Sequence, residues 1–496
     1  MRHAASLAPT VVLTVEEQQA KVLAASRPLT PEAVPITQAS GRTLAAAVHA
    51  RVDVPLFDNS AMDGYAVIFS DVEGATAEHP AELRVVADLP AGSAEEPELR
   101  PGLAARIMTG APVPRTASTV VPFEHTRGGL QAWDAAAIVT TAPLREGANI
   151  RHRGEELRAG AVVARAGTVL GPLQLTAIAA TGVDIVQVHR RPRVAVISTG
   201  TELAAPGADL ARGQIPESNS VLLASMCVEA GADVISVDTV TDEDAAFTSV
   251  LDRALHIGRA DVVVTSGGAS AGAHEVVKNV LRDRIEFTAV AMQPGRPQAF
   301  GRIDDALIFG LPGNPASVAA SFETFVRPAL LAQQGRESVH RPMLRLATAA
   351  GWRSPTGRQQ YVPVALDRSD PAAWSVSPAA ADGSSGAHLA AGLAASAEVT
   401  RAASRRRGLR RPRHPRQAPA PPAPPAPPAP RRSSSPADGR LVSAAPPNRC
   451  SRSAAARCSI GPSRPSRGAI RSSSWVRLRP CTARSSGLAR PQRSAL

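Results

Sequence analysis

DVVVTSGGASAG, residues 261–272, is the stretch on which the fold turns. Its first half is a β-branched run suited to a buried strand. It breaks into a loop carrying Gly267, Gly268 and Gly272, with small hydroxyls at Thr265, Ser266 and Ser270. Glycines let the backbone turn tightly and bring bare N–H groups close to an anion, and a following helix adds its positive N-terminal end. A helix over 274–281 would supply that end. Taken alone, the loop is either a phosphate cradle or an ordinary strand-to-helix connection.

The same rhythm continues on both sides. RVAVISTG at 193–200 precedes a helical stretch at 220–229, and DVISVDTV at 233–240 precedes a helix over 245–255. After the glycine loop, ALIFGLPGNP at 306–315 leads into a helix over 316–330. Strands alternating with helices at this spacing predict a doubly wound parallel sheet over residues 191–335, covered on both faces. Ligands of such sheets sit beyond the carboxyl ends of the strands. Three of these ends carry marked loops: STGTEL at 198–203, TSGGASAG at 265–272 and GLPGNPAS at 310–317. Glu202 follows the first, and Asn314 sits between Gly313 and Pro315 after the third. A Pro-Gly-Asn-Pro turn is often only a rigid turn. Three such loops on one sheet edge point to a small-molecule site of the phosphate or pterin type.

The rest of the chain divides by composition. From Arg401 to the end there are 22 Arg, no Lys and one acid, Asp438, so this +21 segment leaves residues 1–400 at −9 of the total +12. The body is acidic and the tail alone is basic. With the run APAPPAPPAPPAP at 418–430, residues 400–496 read as a disordered Arg/Pro-rich tail, and Arg without Lys reads as GC-rich codons translated in another frame. Nucleic acid and membrane are therefore not expected partners. Cys227 is the single body cysteine, which fits a reducing cytoplasm, and no run approaches the roughly 18 apolar residues of a bilayer span.

Residues 33–187 carry mostly short β-type runs, and a helix over 15–25 opens the chain with Thr14 as N-cap and Glu17 three residues on. Within the strand-rich half, DVPLFDNSAMDGYAV at 53–67 gathers Asp53, Asp58, Asn59 and Asp63. Such a cluster suits a hard cation or a polar substrate; equally, Asp and Asn cap turns, with Met62 and Tyr65 in the core. There is no GxxxxGK[ST], no GxGxxG opening a helix, no CxxC pair and no HExxH. P-loop, dinucleotide-binding and zinc readings lose support.

Eight strings taken together resemble one family. DNSAMDGYAV, RIMTGAPVP (106–114), IRHRGEEL (150–157), ISTGTEL, GQIPESN (213–219), TSGGASAG, MQPGRPQAFG (292–301) and GLPGNPAS follow the order and spacing of the MoeA family, the molybdopterin molybdenumtransferases. The resemblance covers roughly residues 12–395. It implies a multidomain α/β and β-rich architecture: an N-terminal and linker region at 12–190 with a domain inserted at about 55–140, a first helix packed on the α/β molybdopterin-binding domain at 191–335, and a small C-terminal β-domain at 340–398. That last domain reads as incomplete, because the Arg/Pro tail begins where final strands should follow.

The implied activity places molybdenum on adenylylated molybdopterin, with molybdate consumed and AMP released. Mg²⁺ is the implied cofactor. The implied assembly is a homodimer in which the Asp58 region of one subunit faces the glycine loop of the other, and a molybdopterin adenylyltransferase is the implied upstream partner. Carried over by position, Asp58, Glu202 and Asp242 (in VTDED) handle metal or molybdate and act catalytically. Thr109, Thr265, Ser266, Gly267, Gly268, Ser270, Gly272, Glu275, Arg296, Pro312, Gly313, Asn314 and Pro315 are the implied substrate contacts.

Departures from the family pattern are specific. Gly154-Glu155-Glu156 replaces GED, Glu275 stands where Asp is common, and Gln293-Pro294-Gly295-Arg296-Pro297 replaces KPGKP. Arg296 can still bind phosphate, with a planar fork in place of a point charge. The adenylyltransferase itself and a non-catalytic molybdopterin-binding scaffold are the alternatives. The long strand-rich half speaks against the first, and nothing adds a partner domain for the second.

Overall fold

The structure, a computed structural model, describes residues 12–129, 136–268, 275–351, 354–379 and 398–402. Ser270, Gly272 and the expected disordered tail from 403 onward lie outside the described residues.

The main sheet has seven strands in the order Val12–Leu13, Glu286–Val290, Pro297–Ile303, Ala306–Leu311, Val262–Ser266, Arg193–Thr199 and Asp233–Val240. The last four are mutually parallel. The expectation of a wholly parallel sheet is corrected in the other half. Pro297–Ile303 runs antiparallel to both of its neighbours. The cause is connection length: only Asp304 and Asp305 separate Ile303 from Ala306, with Asp304 at φ 52°. A two-residue turn reverses the chain, whereas a parallel step needs a crossover of about a dozen residues.

Both faces of this sheet are covered, as its β-branched strands require. Successive side chains of a strand point to opposite sides. Val194, Val196, Val264 and Phe309 accordingly join one core with Leu223, Cys227, Val318 and Phe322, while Ala195, Ile197, Val263 and Ile308 join another with Phe247, Leu251 and Leu281. The N-terminal helix Val15–Ala25 contributes Val15 and Val22 to the first core. Thr14 and Glu17 form its capping box, Thr14 Oγ1 accepting from the Glu17 N–H at 3.1 Å and Glu17 Oε2 from the Thr14 N–H at 2.7 Å.

Other helix bounds shift. The helix expected over 245–255 is Asp244–Asp252 followed by one π turn, Arg253–Ile257. That expected over 316–330 begins at Pro315, passes through a π turn at Phe322–Val326 and ends at Gln333. The one after the glycine loop begins at Val276.

In the N-terminal half, a five-stranded sheet has the order Thr119–Pro122, Gly64–Val67, Leu103–Ile107, Ala81–Leu89, Ala136–Val139. Tyr65 and Val67 pack with Leu83, Val121 and Phe123, and Ala66 packs on the other side with Leu89, Ile107 and Val120. Residues on both sides of this segment pair with each other: Val48–His49 with Val162–Ala164, and Pro31–Pro35 with Ile185–His189.

At the C-terminal end, Gln359–Asp367 pairs with Met292–Gln293, Ser375–Pro378 and Glu398–Ala402. Glu398–Ala402 is a strand whose ladder runs from Val364↔Glu398 to Gln360↔Ala402, so residues 400–402 are not part of a disordered tail.

Candidate functional site

The order of the strands decides which loops meet. Because Ala306–Leu311, Val262–Ser266, Arg193–Thr199 and Asp233–Val240 are adjacent and parallel, their carboxyl ends lie side by side. The register Ala299↔Gly310 puts the Arg296 loop at the same edge. The sheet therefore lines up Arg296, the Pro312–Pro315 turn, the Thr265–Gly268 loop, Glu202 and Asp242 along one rim.

Along that rim the glycines are required by contact. Gly267 has φ 87°, and a Cβ there would lie 2.4 Å from the Thr199 carbonyl oxygen; at Gly268, φ 61°, a Cβ would lie 2.9 Å from Val277 Cγ2. The Gly267 N–H donates to the Leu311 carbonyl at 3.2 Å, which ties the glycine loop to the Pro-Gly-Asn-Pro turn. In that turn Asn314 is a helix cap: its Oδ1 accepts from the N–H groups of Ala316 at 3.0 Å and Ser317 at 3.3 Å. Thr265 is enclosed, with its hydroxyl unpartnered, and Ser266 is buried with its hydroxyl 3.2 Å from that of Ser198. Arg296 and Glu202 are exposed, and Glu275 is the residue before the Val276–Leu281 helix.

Asp242 is held by the Glu202 loop. The N–H and hydroxyl of Thr201 reach Asp242 Oδ2 at 3.0 and 3.2 Å, and Oδ1 accepts from no described residue. Mg²⁺ is bound through one or two carboxylates, its octahedron completed by water and substrate phosphates. Asp242 and the neighbouring Glu202 fit that donor set. Among the described residues no group of three or more His, Cys, Asp or Glu side chains is arranged to hold a metal alone.

Asp58 and Thr109 belong to a second cluster in the strand-rich half. Asp58 Oδ1 accepts from the Arg153 N–H at 2.6 Å and Oδ2 lies 3.1 Å from His152 Nδ1. The Arg153 N–H holds the Asp58 carboxyl below the usual aspartate range, against the opposing effect of burial, and His152 adds to the lowering. Arg153 in turn reaches Asp53 Oδ2 at 2.5 Å. Thr109 donates to Asp63 Oδ1 through its hydroxyl at 2.7 Å and its N–H at 2.6 Å, which lowers the Asp63 pKa. The strings DNSAMDGYAV, RIMTGAPVP and IRHRGEEL thus meet in space. Every hydrogen bond given by the described residues to the Asp53, Asp58 and Asp63 carboxylates comes from residues 109–159.

Ser198, Glu217 and Asn219 lie inside the strings STGTEL and GQIPESN, but sequence reasoning gave none of them a role. Ser198 donates to Glu217 Oε1 at 2.9 Å, and Asn219 Nδ2 donates to the Gly313 carbonyl at 2.7 Å. A serine inside an otherwise apolar run, VAVIS, was the available signal for Ser198.

The fold and the two clusters define a multidomain α/β protein whose main sheet carries its candidate site residues along one rim. Residues 13–182 match the family model of the MoeA N-terminal region (domain I and II), and residues 195–332 match that of a probable molybdopterin binding domain. The chain is 44% identical over 362 residues to molybdopterin molybdenumtransferase 2 of Mycobacterium tuberculosis, covering 71% of this chain and 88% of the relative. It is 39% identical over 305 residues to the molybdopterin molybdenumtransferase of a Nostoc species, covering 60% and 68%. Two molybdopterin biosynthesis MoeA structures from Pyrococcus horikoshii align with TM-scores of 0.65 and 0.64 at 29% and 26% identity, covering 79% and 78% of this chain and 95% and 94% of theirs. The chain belongs to the MoeA family, the molybdopterin molybdenumtransferases.

Proposed function

We propose that this chain is the transferase of molybdenum cofactor biosynthesis that places molybdenum from molybdate on adenylylated molybdopterin and releases AMP. The observation that carries the reading is the rim itself: a chain of this family aligns two glycine turns, an exposed arginine and two carboxylates along one sheet edge.

The residues divide the work by chemistry. The Gly267–Gly268 turn brings main chain close to substrate phosphate, and Arg296 offers a planar fork to it. Glu202 and Asp242 would hold Mg²⁺, which supplies neutralisation of the charge that builds on the phosphoanhydride oxygens during cleavage. Asp58, with both oxygens already accepting, orients the His152–Arg153 segment. Since its cluster is bonded within the strand-rich half, and Leu56, Phe57 and Met62 beside it are exposed, a homodimer that brings it to a partner's rim is part of the reading. No helix among the described residues is long and apolar enough to cross a membrane. A cytoplasmic role beside an upstream molybdopterin adenylyltransferase completes the proposal.

The test is incubation with adenylylated molybdopterin, Mg²⁺ and molybdate while AMP is followed. Molybdate-dependent AMP is the expected result. AMP released at the same rate without molybdate, or none at all, would sink the reading.

A further inference from the structure

Glu217 is a carboxylate buried to 4% exposure, outside the carboxylates assigned above. Three donors meet it: the Ser198 hydroxyl at 2.9 Å and the Ser220 N–H at 2.8 Å on Oε1, and the Ser220 hydroxyl on Oε2. Ser198 also lies 3.2 Å from the Ser266 hydroxyl. Two residues on, Asn219 holds the Gly313 carbonyl at 2.7 Å. A Cβ on Gly313 would stand 3.6 Å from Gly267 Cα, so the two loops braced from behind by 217–220 also touch each other.

We propose that Glu217 is a positioning residue for the substrate cradle, acting through Ser198 and Ser266 on the Gly267–Gly268 turn; the proposal rests on the functional reading above. A carboxylate can only accept. Ser198 therefore gives its one proton to Glu217, and the Ser198–Ser266 bond is donated by Ser266. The proton direction of the chain is set from its buried end. Ser266 is fixed one residue before the turn, its hydroxyl proton directed inward and away from phosphate. Ser266 thus supports the cradle and is not a phosphate donor, which reassigns one residue expected to bind substrate. A carboxylate withdrawn from water is costly unless donors surround it. Here each donor belongs to an element that shapes the rim.

Two variants test the link. Glu217→Gln keeps the size but weakens the brace either way round: with the amide oxygen on Ser198 and the Ser220 N–H the charge is lost, and with the –NH2 there the Ser220 N–H loses its acceptor; Ser198→Ala removes the connection and leaves Glu217 with Ser220. Each is expected to raise KM for adenylylated molybdopterin about tenfold while kcat falls less than about threefold, and the double variant is expected to be no worse than either alone. Amide exchange at Gly267 and Gly268 should quicken in both and stay at the wild-type rate in Ser225→Ala, on the exposed side of the Asn219–Glu229 helix that contains Ser220. Glu217→Asp, which restores an acceptor-only group, should recover part of the KM. Wild-type KM and wild-type exchange in Ser198→Ala, or effects that merely add, overturn the proposal; this holds even if Glu217→Gln does not fold. Should wild-type protein release no AMP, the functional reading falls, and the exchange rates still decide the brace.

Discussion

Thr201 binds one oxygen of Asp242 twice, through its N–H at 3.0 Å and its hydroxyl at 3.2 Å. The other oxygen accepts from no described residue. Partners that orient a metal-binding group typically matter about 10- to 100-fold in metal affinity. Thr201→Val, which keeps the N–H and loses the hydroxyl, is therefore expected to raise the Mg²⁺ concentration for half-maximal AMP release about tenfold, with near-normal rates at saturating Mg²⁺. Asp242→Asn should not be rescued by added Mg²⁺. A Mg²⁺ titration of both variants reads the difference, and an unchanged midpoint in Thr201→Val would remove Asp242 from the cation site.

Asp58 gives a pH signature. Its pKa is depressed in the folded protein, chiefly by the Arg153 N–H. A depressed carboxyl contributes stability that is present above its unfolded value and lost as pH falls through the folded value. Asp58→Asn should therefore lower the Tm at neutral pH, and the gap to wild type should close in acid, below the ordinary aspartate range. Thermal melts across that range check the sign. A gap that widens in acid would contradict the hydrogen bonding at this carboxylate.

Cys227 is fully buried between the Asn219–Glu229 helix and the sheet, and burial pushes its thiol up to about 12. The thiolate is the reactive form. Alkylation of native protein at pH 8 should leave Cys227 unlabelled, while labelling in denaturant should be complete; peptide mass spectrometry separates it from Cys450, Cys458 and Cys481. Because the raised pKa favours the neutral thiol, its share of the stability is kept below the unfolded thiol value and lost as pH rises beyond it.

Where local pattern and tertiary need coincide, the chain could be read directly. The Val262–Ser266 and Arg193–Thr199 strands are β-branched because both sheet faces are covered, and the Thr14–Glu17 box marks a helix start without reference to anything distant. The antiparallel strand Pro297–Ile303 was hidden for the opposite reason. It opens on Pro and contains Gly301, both poor strand residues, and Gly301 is explained only by its neighbour: a Cβ there would stand 2.6 Å from Ile285 Cγ2. The site divides in the same way. Loops that follow strands could be placed on one edge from strand order, whereas Glu217 reaches Ser198 across 19 residues and Ser198 reaches Ser266 across 68. Such side-chain links leave no periodic mark.

The rim glycines are not equivalent, and their differences are measurable. Gly267 combines φ 87° with a distance of only 2.4 Å from where a Cβ would stand to a main-chain oxygen, which cannot move aside as a flexible side chain would. Left-handed backbone in a non-glycine residue costs about 1–3 kcal/mol before any clash is counted. Gly267→Ala should therefore destabilise by at least that much and reduce kcat/KM, because relief requires the loop to leave the Thr199 carbonyl. Gly313 has no left-handed φ and its nearest atom to a Cβ is 3.6 Å away, an ordinary contact. Gly313→Ala should stay within about 0.5 kcal/mol of wild type in denaturant melts. If it nevertheless lowers kcat/KM as strongly as Gly267→Ala, substrate approaches the main chain at Gly313 itself, and the tightest part of the cradle lies on the Pro-Gly-Asn-Pro side of the rim.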